Sequence, residues 1–419
     1  MWCDCGPDQP RAGPLFFRST TLSTGRRVRW MVNAMNSICR RAARLFHHAS
    51  LLAVAGIGLM TASSTFAKTP PVAPNYQVIG YVTQWNPAEN DQLHMISTLI
   101  FAFAEIRDGR VVLAPEAAAR LRRIVALKAI DPRLKVEISI GGWGAGGFSE
   151  AASTAAGRRE FASTAADLVT ATGADGIDVD WEYPCSSQSG IKSSPHDRAN
   201  FTLLLKDVRA ALNAAEAPHG HATARHYTLS IAIADGPFVK GINIPAVNHY
   251  VDWFNLMTYD FVNSLTPTTG NHTGLYASRW APAMARTTNR AVRQFLAAGI
   301  PARKLVIGVA FYGRAFADVR PVHHGLYQPY GHFIAMIAWP KLVSSYINKN
   351  GFKRYWGSKA MAPYLWNAKS RTFITYEDPQ SIAAKDAYVK AHHLGGVMYW
   401  EQNLDPGGTL LKAIYNGLH

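Results

Sequence analysis

Cysteine is scarce in this chain, and three of its four cysteines lie near the N-terminus. Cys3, Cys5 and Cys39 belong to a segment that we expect to be removed on export, which leaves only Cys185 in the mature protein. One thiol cannot form an internal disulfide, and no paired C-x-x-C motif remains to support a zinc fold. We therefore expect neither disulfides nor structural zinc to hold the fold.

Long hydrophobic runs are also missing. The apolar run from Ala49 to Met60 has about twelve residues, whereas a helix that crosses a bilayer needs about twenty. A basic stretch, Arg40 to Arg44, precedes this run, and Thr65 and Ala67 supply the small residues that favour cleavage. The pattern predicts a secretory signal peptide within residues 1–67, cleaved after Ala67, rather than a membrane anchor.

The positive charge is concentrated in the same segment. Removal of its eight Arg and two Asp lowers the formal net charge from +15 to +9. Met1 to Trp30 has no structural pattern, and our hypothesis is that translation starts at Met31 or Met35. No block of five or more Lys or Arg remains, so we expect neither a nucleic acid nor a membrane as a partner.

The rest of the chain has the composition of a globular protein, with 48% hydrophobic and 17% charged residues and no linker or repeat. Short runs of β-branched and aromatic residues alternate with amphipathic segments, which predicts a closed, parallel (β/α)8 TIM barrel of the α/β class. The predicted strands are Gln77–Val82, Ile96–Phe103, Lys135–Ile140, Gly176–Trp181, Tyr227–Ala234, Trp253–Thr258, Leu305–Phe311 and Gly396–Trp400. The predicted helices include Ala117–Ala129, Arg158–Thr172, Arg198–Ala215, Arg290–Ala298 and Ser381–His392.

One crossover is much longer than a helix requires. Residues 314–376, after the seventh strand, are rich in Tyr, Trp and Phe and are predicted to form a small α+β insertion. The barrel would then comprise residues 68–313 and 377–419. Because barrel enzymes build their sites from loops at the carboxyl ends of strands, we expect the insertion to form a wall of the cleft.

The fourth strand carries the strongest chemical signal. Residues two apart on a strand share a face, so Asp178, Asp180 and Glu182 are predicted to project together into the barrel. Crowded, buried carboxyl groups cannot all ionise, so at least one should keep its proton near neutral pH. Glu182 is nearest the open end and is the candidate general acid; Asp180 would orient the substrate and Asp178 would tune Asp180.

Other interpretations have less support. The three acids could hold Ca²⁺ or Mg²⁺, but one strand provides a row of oxygens rather than a wrapping loop, and we predict no metal and no cofactor. Gly142 to Gly147 satisfies G-x-G-x-x-G, but it follows the third strand and contains Trp143, which disfavours a dinucleotide site. Isolated histidines such as His272 and His323 are expected at the surface.

Five segments, in order on the predicted strands, resemble glycoside hydrolase family 18, and in particular its bacterial chitinase-like branch. Asp175 to Pro184 is similar to the family signature D-x-x-D-x-D-x-E, and Ser139 to Gly142 is similar to its S-x-G-G motif. Met257 to Asp260 resembles its M-x-Y-D motif. Phe311 to Arg314 and Gly396 to Trp400 resemble the ends of its seventh and eighth strands.

The resemblance implies a retaining, substrate-assisted mechanism on N-acetylglucosamine polymers. The acetamido oxygen of the sugar would attack its own anomeric carbon while Glu182 protonates the leaving oxygen. Asp180 would hold the acetamido N–H group, and the hydroxyl of Tyr259 would bind the acetamido oxygen. Trp400 matches the floor of the sugar site.

Further residues match the family's substrate-binding positions, although Tyr81 and Phe103 could equally be barrel core. They are Tyr81, Phe103, Gly141, Gly142, Trp143, Gly144, Tyr183, Met257, Thr258, Asp260 and Arg314. The expected partner is chitin or its oligosaccharides, bound by a monomer. Two alternatives stay open: a family member that acts on N-glycans or peptidoglycan, and a non-catalytic chitin-binding lectin, which the retained acids disfavour.

Overall fold

The computed structural model describes residues 76–216 and 226–419. The predicted signal peptide, its cleavage site and the two alternative start positions lie outside the described residues. No helix in the described ranges is both long and apolar enough to cross a membrane.

The strands form two separate sheets. In chain order they are β1 (Gln77–Val82), β2 (Thr98–Arg107), β3 (Arg110–Val112), β4 (Lys135–Gly141), β5 (Gly176–Asp180), β6 (Thr228–Ile233), β7 (Trp253–Leu256), β8 (Leu305–Ala310), β9 (Tyr312–Ala317), β10 (His332–Ala338), β11 (Lys353–Gly357), β12 (Ala362–Asn367), β13 (Thr372–Thr375) and β14 (Gly396–Trp400).

Eight of these strands, all parallel, form a closed barrel. Their order is β1, β2, β4, β5, β6, β7, β8 and β14, and β14 pairs again with β1. Gln77 on the first strand is opposite Gly396 on the last, and Ile79 is opposite Thr98. The predicted (β/α)8 barrel is therefore confirmed, and the first and last strands have the bounds expected from sequence.

Helices connect most of the barrel strands. They are α1 (Pro115–Ala126), α2 (Phe148–Ala152), α3 (Ala155–Thr172), α4 (Asp197–Glu216), α5 (Ile244–Val247), α6 (Thr288–Ala297), α7 (Trp339–Ser345), α8 (Pro379–Ala391) and α9 (Thr409–Leu418). Local sequence fixes their ends: Thr154 accepts a hydrogen bond from Gly157 N at the start of α3, and Gly173 ends that helix in the left-handed conformation. Ile177 and Val179 of the fourth barrel strand, and Trp181 directly after it, point outward into the core beneath the helices.

The second sheet is antiparallel, in the order β10, β9, β13, β12, β11, and it lies between the seventh and eighth barrel strands in sequence. One of its faces packs around Phe316, Leu326, Trp366 and Phe373, together with Val262 from the loop after β7. This position is compatible with the predicted insertion. The proposed domain limits, 68–313 and 377–419 around 314–376, remain predictions.

The barrel interior has one apolar and one polar half. Ile79, Ile100, Val306 and Met398 form part of the apolar cluster on β1, β2, β8 and β14. Strands β4 to β7 instead bury polar side chains. These are Glu137, Ser139, Asp178, Asp180, Thr228, Ser230 and Asn255. Because polar groups are costly to bury without partners, this half of the barrel is where chemistry is expected.

Candidate active site

Asp178 lies at the centre of the polar half and is fully buried. Tyr81 and Ser139 donate hydrogen bonds to its Oδ2 at 3.0 and 2.7 Å, and Ser230 and Asn255 donate to its Oδ1 at 2.7 and 3.3 Å. Burial raises the pKa of the Asp178 carboxyl, and these donors oppose that rise because they stabilise the charged form. Four donors around one carboxyl group are the arrangement expected for a buried carboxylate.

Asp180 is one inward position further along β5 and only 4% exposed. Its Oδ1 atom has no hydrogen-bond partner among the described residues. Burial, followed by the charges of Glu182 and Asp178, raises the pKa of Asp180 well above its usual value. The structure therefore contains a buried carboxyl group that favours its protonated form and has one free acceptor atom.

Glu182 lies two residues beyond the end of β5 and is half-buried. Burial raises its pKa to about 7; a contact with Tyr183 opposes this shift and the charge of Asp260 adds to it. The Oγ of Ser189 donates to the Glu182 carbonyl at 2.6 Å and fixes the backbone there. A carboxyl group with a pKa of about 7 can both donate and accept a proton near neutral pH.

Tyr259 is placed across the barrel end by the loop that follows β7. It is 8% exposed, and burial raises the pKa of its hydroxyl well above the usual value, so the group stays protonated. The hydroxyl lies 3.8 Å from the sulfur of Met398, which is a weak acceptor. Its proton is therefore available for a better acceptor.

Asp260 is held by a cation from the second sheet. Arg314 on β9 donates from Nε to Oδ1 at 2.8 Å and from a terminal nitrogen to Oδ2 at 2.6 Å. Burial alone would raise the pKa of Asp260, but the charge of Arg314 outweighs it and holds that pKa well below its ordinary range. This ion pair ties the second sheet to the barrel end that carries Glu182.

His272 contradicts the expectation of a surface residue, because it is 0% exposed. Its backbone N–H donates to the Thr375 hydroxyl at 3.0 Å, which holds the loop after β7 beneath the second sheet. The imidazole Nδ1 lies 3.6 Å from Asp260, and burial lowers the pKa of His272. His323, the other histidine expected at the surface, is exposed.

Aromatic rings surround Trp400 at the end of β14. The ring of Phe103 stacks on it with centroids 5.8 Å apart and planes 20° apart, and the ring of Tyr81 is 5.6 Å away. Trp400 and Phe103 are half-buried, whereas Tyr81 is buried and directs its hydroxyl to Asp178. Half-buried Met257 packs against the same cluster. The cluster can provide a flat apolar surface next to the carboxyl groups.

The loop after β4 requires glycine. Gly141 and Gly142 have φ of 117° and 94°, and a Cβ on Gly141 would clash with the Asp180 carbonyl while one on Gly142 would meet the ring of Phe103. Trp143 follows, half-buried, with its ring 6.2 Å from that of Tyr183. The loop thus approaches β5 closely and presents Trp143 at the rim.

Two further residues predicted to bind substrate, Gly144 and Thr258, differ in their exposure. Gly144 is exposed in the same loop, also with a positive φ of 80°. Thr258 is buried; its hydroxyl donates to the Gly308 carbonyl at 2.7 Å and accepts from the Gly308 N–H at 2.8 Å. The structure therefore engages the Thr258 hydroxyl with the backbone of β8.

Sequence reasoning missed several polar residues beside Asp178. Glu137, Ser230 and Asn255 are fully buried on β4, β6 and β7, and all three belong to the hydrogen-bonded group around that carboxyl. Only Glu137 had a usable signal, since it alternates with Ser139 on a strand that was predicted correctly. No group of three His, Cys, Asp or Glu side chains in the described residues is arranged to hold a metal ion.

A separate cavity of about 400 Å³ lies between the loop after β7 and the second sheet, lined by Arg279, Trp280, His323, Tyr327 and Gln328. The guanidinium carbon of Arg279 lies 3.4 Å from the centroid of the Trp280 ring, and His323 meets that ring edge-on at 4.3 Å. The Trp280 ring is therefore already contacted by two side chains. The carboxyl groups and Trp400 offer the better candidate site.

Comparison with known proteins gives consistent results. Residues 77–405 match the family model described as Glycosyl hydrolases family 18. The chain is 38% identical over 313 residues to chitinase A1 of Niallia circulans, covering 71% of this chain and 44% of that protein. It is 32% identical to chitinase 1 of Aphanocladium album, covering 71% and 69%.

Solved structures give the same result. A family 18 N-acetylglucosaminidase from Paenibacillus barengoltzii is 41% identical, with a TM-score of 0.77, and the match covers 82% of this chain and all of that one. This chain spans less than half the length of chitinase A1. The matched family model covers the barrel from β1 to beyond β14, so this chain belongs to glycosyl hydrolase family 18.

Proposed function

We propose that this protein hydrolyses β-1,4-linked N-acetylglucosamine in chitin or chitooligosaccharides, with retention of configuration and with Glu182 as general acid and base. The proposal depends on one observation: Asp178 and Asp180 are buried on β5, Glu182 follows two residues beyond the end of that strand, and the charges of Asp178 and Glu182 both act on Asp180. Glu182 has a pKa of about 7 and is half-buried, so it can reach a substrate and still carry a proton.

In the first step, the acetamido oxygen of the sugar bonds to its own anomeric carbon and the glycosidic bond breaks. Glu182 gives its proton to the leaving oxygen, and a cyclic oxazolinium ion forms. In the second step, water attacks the anomeric carbon from the face that the leaving group vacated, and ionised Glu182 takes its proton. The two displacements at one carbon retain its configuration.

Two other groups support the acetamido attack. The Oδ1 of Asp180, which lacks a partner among the described residues, is proposed to accept the acetamido N–H. The Tyr259 hydroxyl, which has only a weak sulfur contact at 3.8 Å, is proposed to donate to the acetamido oxygen. Both interactions strengthen as charge develops on the acetamido group, so they favour the transition state over the bound substrate.

The aromatic cluster is proposed to form the floor and rims of the sugar site. Trp400 would stack under the sugar at the cleavage position, with Phe103 behind it and Trp143 and Tyr183 at the edge. Met257, Asp260 and Arg314 would complete the wall facing the second sheet. Gly141, Gly142 and Gly144 allow the backbone after β4 to approach without side chains.

The similar proteins support two product patterns. Two relatives are chitinases by name, whereas the structure with 41% identity is an N-acetylglucosaminidase. The same chemistry could also serve N-glycans or peptidoglycan, since each presents an acetamido group. The lectin alternative is disfavoured, because Asp180, Glu182 and Tyr259 are all present at the barrel end.

The decisive experiment is to incubate the protein with chitin oligomers, chitosan, peptidoglycan and a glycopeptide, and to identify the products by mass. Single N-acetylglucosamine units would indicate an exo-acting enzyme, and mixed oligomers an endo-acting one. Glu182→Gln should bind oligomers but lose hydrolysis by about 100-fold or more. Glu116→Gln, at an exposed site on α1, is the matched control and should keep full activity. Unchanged turnover by Glu182→Gln would reject the assignment.

A stable thiazoline analogue of the oxazolinium ion tests the acetamido step separately. It should compete with chitin oligomers in the wild type and bind more weakly to Asp180→Asn, which alters the acceptor of the acetamido N–H. An analogue that does not inhibit would exclude substrate assistance even if Glu182 proved essential.

We also propose that the protein is exported, with cleavage after Ala67, and acts as a monomer. N-terminal sequencing of the exported protein should begin at Lys68, and light scattering should give the mass of one chain. Intact residues 1–67 on the exported protein would contradict the cleavage site.

A further inference from the structure

Glu137 is a fully buried acid that has no part in the proposed reaction. It lies on β4, two residues before Ser139, and is 0% exposed. Thr228 on β6 lies 2.5 Å from its Oε1, and Ser230 on the same strand lies 3.0 Å from its Oε2. A carboxyl group at this depth requires an explanation, because an ionised one would be costly to bury.

Ser230 connects this acid to the active site. Its Oγ lies 3.0 Å from Glu137 Oε2 and 2.7 Å from Asp178 Oδ1. A serine hydroxyl has one proton and can donate to only one of the two carboxyl groups. Both short contacts can be hydrogen bonds only if one carboxyl group carries a proton of its own and donates it to Ser230.

The surroundings of the two carboxyl groups decide where that proton lies. Asp178 receives three further donors, from Tyr81, Ser139 and Asn255, which favour its charged form. Among the described residues, the only other hydroxyl that contacts the Glu137 carboxyl group is that of Thr228. The charge is therefore most stable on Asp178, and the proton on Glu137. Consistently, burial raises the pKa of Glu137 to about 8, and the charge of Asp178 adds to this rise.

We propose that Glu137 is a positioning residue for Asp178: in its protonated form it donates to Ser230, which then donates to Asp178 and keeps that carboxyl group ionised. The inference rests on the proposed function, because it concerns the charge beneath Asp180. The protonation states of the three carboxyl groups then alternate: Glu137 carries a proton, Asp178 is charged and Asp180 carries a proton. A charge on Asp178 in turn favours the proton on Asp180.

Loss of the Glu137 proton reverses this order. Ionised Glu137 would compete for the Ser230 proton and place a second negative charge beside Asp178. Asp178 would then lose one donor and bind a proton more readily. In alkaline solution, activity should therefore fall for two reasons: Glu182 loses its proton, and so does Glu137.

The other charged groups near Glu137 allow a control. Asp252, immediately before β7, is the other acid whose charge acts on Glu137, and it is bonded by Arg209 at 2.6 Å. Exposed His226 lies 3.3 Å from Asp252. On the β2 side, the register partner of Glu137 is apolar Ile100. His226→Gln therefore tests whether an alkaline effect comes from this neighbouring group instead.

Asp175 is the remaining acid beside this layer. Its backbone oxygen lies 3.1 Å from the Thr228 hydroxyl, and Lys128 bonds its carboxylate at 2.7 Å. The charge of Asp175 is thus paired with that of Lys128, on the side away from the barrel interior.

The test is the dependence of kcat/KM on pH for the wild type, Glu137→Gln and His226→Gln. Glutamine reproduces protonated glutamic acid: its carbonyl accepts from Thr228 and its amide donates to Ser230. At about pH 6 all three should agree within about twofold. Above about pH 8, kcat/KM of the wild type and His226→Gln should fall by about 100-fold per pH unit, and that of Glu137→Gln by about tenfold.

Two further measurements test the same proposal. Glu137→Met can neither ionise nor donate, so it should also show the shallow alkaline slope if the Gln variant does not fold. Infrared spectra at about pH 7 should contain the carbonyl stretch of a protonated carboxyl group that Glu137→Gln or Glu137→Met lacks. Equal alkaline slopes, or no loss of that stretch, would overturn the inference. A wild type without hydrolase activity would instead reject the proposed function, while the infrared comparison would still report on Glu137.

Discussion

Arg314 holds both carboxylate oxygens of Asp260, at 2.8 and 2.6 Å. The arginine lies on the first strand of the second sheet and the aspartate on the loop after β7, so the pair fixes these two parts at the open end of the barrel. Asp260 stays charged and raises the pKa of Glu182. The second sheet thus affects the candidate acid through this ion pair.

Asp260→Asn should move the alkaline limb of activity to lower pH. A general acid works only while protonated, so activity is lost as pH rises through the pKa of Glu182, about 7. Because the negative charge of Asp260 raises that pKa, removing this charge lowers it. We expect a shift of about one pH unit or less, measured from kcat against pH.

The control for this variant is Asp207→Asn, which breaks the ion pair with Arg158 between α3 and α4. It should leave the alkaline limb in place. A limb that moves to higher pH in Asp260→Asn would show that the sign of the coupling is wrong.

The free energy of unfolding should be highest near about pH 4 and fall towards pH 8. Burial raises the pKa of Glu137 and of Asp386 to about 8, far above the values of the unfolded chain. Their stabilising contribution is therefore present below about pH 4 and is lost as pH rises through 8. Asp260, with a lowered pKa, loses its contribution only as pH falls.

Asp386→Asn tests this dependence most directly. Both carboxylate oxygens of Asp386 are buried without a hydrogen-bond partner among the described residues, so no hydrogen bond compensates for ionisation there. The variant should reduce the loss of stability between about pH 5 and 8 by a few kcal/mol, measured by urea unfolding. Asp167→Asn, exposed on α3, should leave it unchanged. An equally steep loss in Asp386→Asn would argue against burial of the charge.

Lys385→Met should destabilise the protein by about 3–5 kcal/mol. Lys385 and Glu377 form a fully buried ion pair that also includes the Thr273 hydroxyl, 2.6 Å from Glu377. Removing the cation leaves a buried carboxylate without its counter-charge, and the double variant Lys385→Met, Glu377→Leu should recover most of the loss. Urea unfolding measures both.

An exposed pair provides the comparison. Lys192 and Glu150 are 3.2 Å apart with largely exposed side chains. Lys192→Met should cost less than about 1 kcal/mol, because solvent screens such pairs. A cost near that of Lys385→Met would mean that burial is not what distinguishes them.

Gly141→Ala should lower the free energy of unfolding by about 2–4 kcal/mol and reduce kcat as well. The residue has φ of 117°, and an added Cβ would push against the backbone of Asp180, whose side chain is proposed to bind substrate. Gly146→Ala, in the same loop but in open space, should change stability by less than about 1 kcal/mol. Urea unfolding and turnover of a chitin oligomer measure both variants, and equal effects would contradict the close approach.

Sequence patterns predicted the barrel well because its strands are set by local composition. Short runs of β-branched and aromatic residues gave the β1 and β14 bounds correctly, and alternation placed Asp178 and Asp180 on the inner face. The predicted strand ended at Trp181, whereas β5 ends one residue earlier, at Asp180, and Glu182 lies beyond it. Where a regular strand ends depends on neighbouring strands as well as on its own residues.

Contacts between distant segments could not be predicted in the same way. His272 is in a loop of polar residues, and its burial depends on Thr375, about one hundred residues later. The bridge from Glu137 through Ser230 to Asp178 likewise joins three strands. Local sequence gives the face of each side chain, but only the register between strands brings the partners together.

Closure of the barrel also limits how the protein can form during synthesis. β1 pairs with both β2 and β14, and Trp400 at the end of β14 packs against Tyr81 at the end of β1. Roughly three hundred residues must leave the ribosome after β1 before its second partner exists. One edge of that strand stays open throughout, and no nascent chain that lacks the final segment can complete the aromatic cluster around Trp400.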